Sequence, residues 1–495
     1  MSDEVQRRRS ILLLILAVWA AWLIHPAFLL VGIWVIGLNY AERRGLLDRW
    51  NATRVLGGIL MIRTRRGLGI LERISQPRLA WRIFGSISLV TCGAAMVVIV
   101  LLLAMAIIST IVMGPQSEPL PVSQMLLIPG VNPVIPLWWP LLAIILTLVI
   151  HEYGHAIVAR AHGMRVRAFG LLMLGPLPLG AFAEPQGSEV LSAPRVERMR
   201  MFAAGPAVNI FAAIIGWLLI GAFAAGFVAS DPGVHATGVV ADGPADAAGL
   251  APYEIITAFN GTPVESADEI SALIRAHGAN DTIVLDVLSH PDADRAREAR
   301  QVEVTLGDRY AYYQGQNVSD EVLEALEIEP GDAFLGISNF AGGTRGVDRL
   351  AGPLAWEDSK GILAGVLGVL LVPITIIATP ISNEGQIMHP HELAMIEPVG
   401  ALAVLGTTGA LALLTGLFWF IWMNIGLGFA NLIPIVPFDG GHLMRDWMME
   451  QAEKLNRVFA NAHPLRVESM VSRVSTLSSL FLVVALFLMM VLPRI

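Results

Sequence analysis

The chain has 495 residues, of which 55% are hydrophobic and 15% charged, and its mean hydropathy is +0.63. That excludes a disordered chain and most soluble globular folds, because so much apolar surface needs lipid as well as a core. A single cysteine, Cys92, excludes a disulfide framework and a cysteine-based zinc cluster, so any metal must be held by His and carboxylate. The net charge of -8 is unevenly spread: residues 230–352 hold 21 acidic against 7 basic side chains, and the rest of the chain 20 against 26. One acidic soluble domain is therefore set into a mildly basic, polytopic α-helical membrane protein. Only two of the 33 basic residues are lysines, Lys360 and Lys454, a bias of GC-rich genomes, and the expected location is a prokaryotic cell membrane.

A bilayer core about 30 Å thick needs roughly 20 apolar residues of helix. The runs at 11–38, 84–113, 137–160, 201–229, 361–379, 399–430 and 476–493 meet or approach that length. Basic residues near span ends stay on the cytoplasmic side. Arg7, Arg8 and Arg9 precede the first run, and ten arginines lie between Arg43 and Arg82, so 11–38 must enter and return. His25-Pro26 at its middle is the expected turn of a shallow hairpin. The run is too long, and lacks the small-residue site, for a cleaved signal peptide. The linker 114–136 has no Lys or Arg, whereas 160–167 and 195–200 are Arg-rich. So 84–113 runs out, 137–160 returns, 201–229 exits, and the acidic domain lies outside. Parity leaves one crossing for 399–430, with 361–379 re-entrant, and 476–493 runs from inside to outside. The expected division is 1–83 (membrane hairpin and Arg-rich cytoplasmic segment), 84–230 (first part of the membrane core) and 231–352 (extracytoplasmic domain). It continues with 353–445 (second part of the core) and 446–495 (cytoplasmic segment and last span).

Within the acidic domain, Thr237-Gly-Val-Val, Thr282 to Leu288 and Val302 to Leu306 alternate as strands do, and Ala267 to His277 has helical spacing with an acidic start. Gly243-Pro-Ala-Asp-Ala-Ala-Gly-Leu followed by Ile255-Ile-Thr-Ala-Phe-Asn-Gly-Thr-Pro-Val resembles a protease-associated PDZ domain over about 75 residues. The resemblance implies a sheet edge that takes an extended peptide. Tyr253-Glu254 stands where such domains have Gly-Asp.

His151-Glu152-Tyr153-Gly154-His155 sits at the inner end of an apolar helix. Residues four apart share a helix face, so His151 and His155 can both reach one metal ion, leaving Glu152 beside a metal-bound water. Ionisable groups inside a span are costly and generally functional. Hydrolytic zinc needs a third protein ligand. The candidate is Asp439 in Asn431-Leu-Ile-Pro-Ile-Val-Pro-Phe-Asp-Gly-Gly-His, where Pro434 and Pro437 break the helix; His442 is the other candidate, better placed behind the ligands. Asn209 and Asn431 are expected to stabilise the oxyanion or grip the substrate backbone, with interhelical hydrogen bonding as the alternative. The Gly- and Pro-rich segment 166–180 is too short to cross and reads as a re-entrant hairpin whose edge pairs with an extended substrate.

These motifs, in this order around a PDZ-like insert, resemble the site-2 protease family of intramembrane zinc metalloproteases. Leu127-Ile-Pro-Gly-Val-Asn-Pro and Ala204-Gly-Pro-Ala-Val-Asn209 are similar to further phrases of that family, and Phe438 stands where many members have Leu. The resemblance covers about residues 125–445. It implies a three-span metalloprotease core (137–160, 201–229, 399–430), zinc on His151, His155 and Asp439, and Glu152 as base. Single-span membrane proteins are the expected substrates and the lipid bilayer a partner, with no role for nucleic acid. The site is expected to open toward the cytoplasm. A zinc-binding transporter and a PDZ adaptor are the competing readings. Segments 1–83 and 353–398 are not explained by the resemblance.

Overall fold

The computed structural model of the protein describes residues 27–113, 135–175, 177–290, 297–351, 388–459 and 463–491, with Pro129 and Asn132. The longer helices are, in order, α1 (Ala27–Arg43), α2 (Arg78–Met113), α3 (Trp138–Ala161), α4 (Arg195–Ala224), α5 (Ala267–Arg275), α6 (Gly406–Asn431), α7 (Asp439–Phe459) and α8 (Pro464–Val491). Among the described residues five segments are long and apolar enough to cross a membrane: Arg78–Ser109, Trp138–Ala161, Arg195–Ala224, Gly400–Asn431 and Leu465–Val484. The first four fall on runs expected from hydropathy; the fifth overlaps the expected run 476–493 only over 476–484 and begins earlier, at Leu465. The first half of the 11–38 hairpin, the 361–379 segment and most of Leu127 to Pro133 lie outside the described residues. The described part of the first run, from Ala27 on, is helical.

Two compact units result, one of Met1–Pro121, Leu141–Ala213 and Trp422–Ile495, the other of Val122–Pro140 and Ile214–Ile421. In the first, α3 and α4 approach closely at Gly154, where a Cβ would stand 2.8 Å from the Ala204 carbonyl oxygen. Small residues at helix contacts allow such approach where no hydrophobic effect drives association. Val158 and Ala159 of α3 pack there against Met201 and Ala204 of α4. The α6 residue Asn424 donates a buried 2.9 Å hydrogen bond to Thr147 Oγ1 of α3.

The segment expected as a re-entrant hairpin is a β-hairpin of β3 (Val166–Leu174) and β4 (Leu177–Pro185). Two strands of the N-terminal segment, β1 (Ala52–Val55) and β2 (Ile59–Thr64), extend it into an antiparallel sheet of order β1-β2-β3-β4. Register is fixed by pairs such as Thr64 with Phe169 and Phe169 with Ala183. Tyr153 ties the sheet to α3: its ring stacks on Phe169 at 4.6 Å and its hydroxyl donates to the Gly67 carbonyl at 3.4 Å. The sheet thus ends at β4, an edge strand beside the HEYGH turn of α3.

The second unit contains a small α/β domain. Its strands are β5 (Phe227–Ala229), β6 (Val234–Ala236), β7 (Ile255–Phe259), β8 (Thr262–Pro263), β9 (Thr282–Leu288), β10 (Ala299–Thr305), β11 (Gly307–Asp308), β12 (Ala333–Phe334), β13 (Phe340–Gly342) and β14 (Ile396–Pro398). The main sheet has the order β10-β9-β7-β6-β13, with β8 folded back on β7 through an Asn260-Gly261 turn at positive φ. Helix α5 opens with a Ser266/Glu269 capping box, worth about 1 kcal/mol, and buries Ile270 and Ile274. These join Ile256, Phe259, Ile283 and Leu285 in the core. The strands expected at 282–288 and 302–306 are found. At 237–240 the regular strand has ended at Ala236, but the pairing continues irregularly: Thr237 and Val240 donate to the Asn339 and Gly336 carbonyls, Ser338 donates to the Gly238 carbonyl, and Val239 bridges Ile337. Gly238 sits against Ser338, where a Cβ would meet Oγ at 2.5 Å, and its carbonyl accepts from the Ser338 amide. Tyr253, in the place of a glycine, adopts φ 66 and stacks on His389 at 4.3 Å. A bulky residue in that region costs about 1–3 kcal/mol, offset here by the ring contact.

Candidate active site

The site lies in the first unit. Helix α3 places His151 and His155 one turn apart on one face, their Nε2 atoms 3.2 Å from each other. Asp439 is the first residue of α7, reached from α6 through a non-helical stretch that contains a cis Val436–Pro437 peptide. Its Oδ2 lies 3.2 Å from both Nε2 atoms. The three donor atoms form an equilateral triangle. A tetrahedral zinc with bonds of about 2.0–2.1 Å would impose edges of about 3.3 Å, so the donor set and its spacing fit zinc with one position left for water or substrate. Burial works against the charge on Asp439, but His155 and His151 outweigh it and hold the carboxyl well below the usual carboxylate range.

Each imidazole is aimed from behind. His155 Nδ1 lies 2.7 Å from the Met201 carbonyl, to which it donates, leaving Nε2 free for a metal. His151 Nδ1 lies 3.0 Å from the side-chain amide of Asn209. The atom facing Nδ1 is Asn209 Nδ2, and the buried Oδ1 of the same amide has no hydrogen-bond partner; a metal on His151 Nε2 would leave the proton on Nδ1, which the amide would accept through Oδ1 once turned about its last bond. Asn209 was expected at the substrate; it is fully buried behind His151 and is not part of the cavity wall. Gly205 leaves room for the other ring, since a Cβ there would stand 2.2 Å from His155 Nε2. Gly205→Ala is therefore expected to displace His155 and cut zinc affinity by about 10- to 100-fold, read by chelator competition.

Glu152 points to β4, where its Oε2 accepts a 2.5 Å hydrogen bond from the Ala183 amide. A cavity of about 420 Å³ opens here, lined by Glu152, Gly180, Ala181, Asn431 and Phe438 as well as the three converging residues. Asn431 Nδ2 stands 3.5 Å from His151 Nε2, within reach of a reacting carbonyl. His442 does not join the triangle; it stacks on Phe202 at 4.6 Å, with the rings 8° from parallel. The sequence reading missed Gly205, the Met201 carbonyl and strands β1 and β2. The two contacts to His155 depend on which turn of α4 faces α3. The hairpin had a local signal, Gly57-Gly58 between two short strand-like runs.

Two imidazoles, a carboxylate and a neighbouring glutamate at the end of an apolar helix are the donor set and base of a zinc hydrolase. The profile of peptidase family M50 matches residues 139–482, and the chain belongs to that family. It is 26% identical to zinc metalloprotease Rip1 of Mycobacterium tuberculosis, over 61% of this chain and 82% of that protein. It is 25% identical to the putative zinc metalloprotease mll0638 of Mesorhizobium japonicum, over 61% and 85%. An uncharacterized protein of Methanocaldococcus jannaschii, MJ0971, is 31% identical over 32% of this chain, which spans 42% of that relative. Among solved structures, the PDZ domain of an SdrC-like protein from Listeria monocytogenes aligns with 25% of this chain and 97% of its own, at 18% identity and a TM-score of 0.16.

Proposed function

We propose that this integral membrane zinc metalloprotease cuts single-span substrates within or near the bilayer, with His151, His155 and Asp439 as ligands and Glu152 as the proton carrier. The observation that carries the reading is the 3.2 Å donor triangle with Glu152 beside it. Bound zinc supplies Lewis acidity, lowering the pKa of water toward about 7 and polarising the scissile carbonyl. Glu152 takes the proton of the attacking water and returns it to the leaving amine. Asn431, in the cavity wall, donates to the carbonyl oxygen of the substrate. Asn209 holds the His151 ring in its metal-binding tautomer. Spans α3, α4 and α6 form the catalytic core.

A helical substrate hides its peptide bonds in its own hydrogen-bond ladder and must unwind before attack. The edge of β4 offers a partner for the unwound strand, and backbone pairing at membrane depth is tolerable because the cavity is wet. The arginine distribution supports an opening on the cytoplasmic side and a PDZ-like domain outside, where it would screen or bind substrate ectodomains. Comparative membrane proteomics of wild type against Glu152→Ala tests the reading: a single-span fragment precursor should accumulate in the variant. Indistinguishable membrane proteomes would refute it.

A further inference from the structure

Helices α4 and α7 run antiparallel along one seam. Arg195 forks onto Glu453, with Nη1 2.5 Å from Oε2 and Nη2 on Oε1. Arg198 forks onto Asp446 through Nε at 3.0 Å and Nη2 at 2.8 Å. Phe202 stacks on His442. The next residue of α4 on this face, Gly205, lies against His155. Spacings of three and four residues keep Arg195, Arg198, Phe202 and Gly205 on one stripe, and on α7 steps of three, four and seven residues do the same for Asp439, His442, Asp446 and Glu453. The first residue of the α7 stripe is the carboxylate of the donor triangle.

We propose that the Arg195–Glu453 and Arg198–Asp446 pairs, with the Phe202–His442 stack, form a register clamp that sets the Asp439 carboxylate against the two imidazoles. The need for one is local. The chain between α6 and α7 has no helical ladder from Leu432 to Phe438; Gly440 and Gly441 pack on the backbone of that stretch and anchor the start of α7, while the direction of the rest of the helix is set by its contacts farther along. Helix α7 is amphipathic and outside the five apolar segments, so lipid does not fix its rotation or slide. Bidentate guanidinium–carboxylate pairs fix both distance and direction. The Arg198–Asp446 side chains are 18% and 14% exposed, which shields the pair from solvent screening. These are positioning residues; none touches the reacting atoms.

The clamp rests on the reading of His151, His155 and Asp439 as ligands, and the test separates the two. Full-length protein in nanodiscs is assayed for zinc retention against a chelator, for the visible spectrum of the Co2+-substituted form and for kcat and KM on a single-span substrate. Arg198→Asp and Asp446→Arg are each expected to lower zinc affinity on the order of 10-fold, shift the cobalt bands and reduce kcat with KM unchanged. The double exchange R198D/D446R is expected to restore most of both. Arg198→Lys, which keeps the charge and loses the fork, gives an intermediate cobalt spectrum and serves if the reversals do not fold. Wild-type zinc retention and spectrum in the folded single variants, or in R198K if the reversals do not fold, overturns the clamp. So does a folded double variant no better than the singles. Asp439→Ala separates the levels: if it keeps zinc and its cobalt spectrum, the ligand assignment fails; if it loses both while the Arg198 variants keep them, the clamp alone fails.

Discussion

Glu152→Gln is expected to reduce cleavage by about 10²- to 10⁴-fold while the protein keeps its zinc. The glutamate lies outside the donor triangle, and its Oε2 is held by the Ala183 amide. An amide preserves the size of the side chain and can still accept that hydrogen bond through its oxygen, so the local fold stays intact. What it cannot do is carry a proton between water and the leaving amine. Cleavage of a purified single-span substrate, with elemental analysis of the same sample, checks both halves. Full activity in the variant would remove Glu152 from the chemistry.

Asp439→Ala is expected to have the opposite signature, losing metal and activity together. Two imidazoles alone leave zinc with an incomplete protein ligand set, and zinc content should fall from roughly one per chain to a small fraction. The variant should also lose the rise in unfolding temperature that added zinc gives the wild type, because a ligand that binds only the native state stabilises it by mass action. Chelation of the wild type should reproduce the loss of activity, and zinc should reverse it. Activity lost in both substitutions, with metal lost in one, separates a proton carrier from a ligand.

Much of the site could be read from the chain because its geometry is local. The His151–His155 spacing is a property of one helix, and the prolines before Asp439 announce a break in another. The hydropathy runs located the five apolar segments for a similar reason: a span must be apolar along its whole length. Asn209 was harder, since its role depends on which face of α4 meets α3, and an asparagine in a span looks the same whether it holds a ligand or a substrate. The sheet was only half legible. Residues 166–185 showed their turn residues, but β1 and β2 are four and six residues long and lie among arginines that read as a cytoplasmic linker. At 237–240, alternation pointed to a stretch that does pair with 336–339, though irregularly, as a continuation of Val234–Ala236.

The short pairing of β5 with β14 brings residue 227 beside 398 and 229 beside 396, so the places where the chain leaves and rejoins the spans are neighbours. Adjacent ends make the material between them a cassette in the sense that applies to domain insertions. On the function proposed above, the small α/β domain within it could vary in size or surface while the helices that carry His151, His155 and Asp439 keep their places.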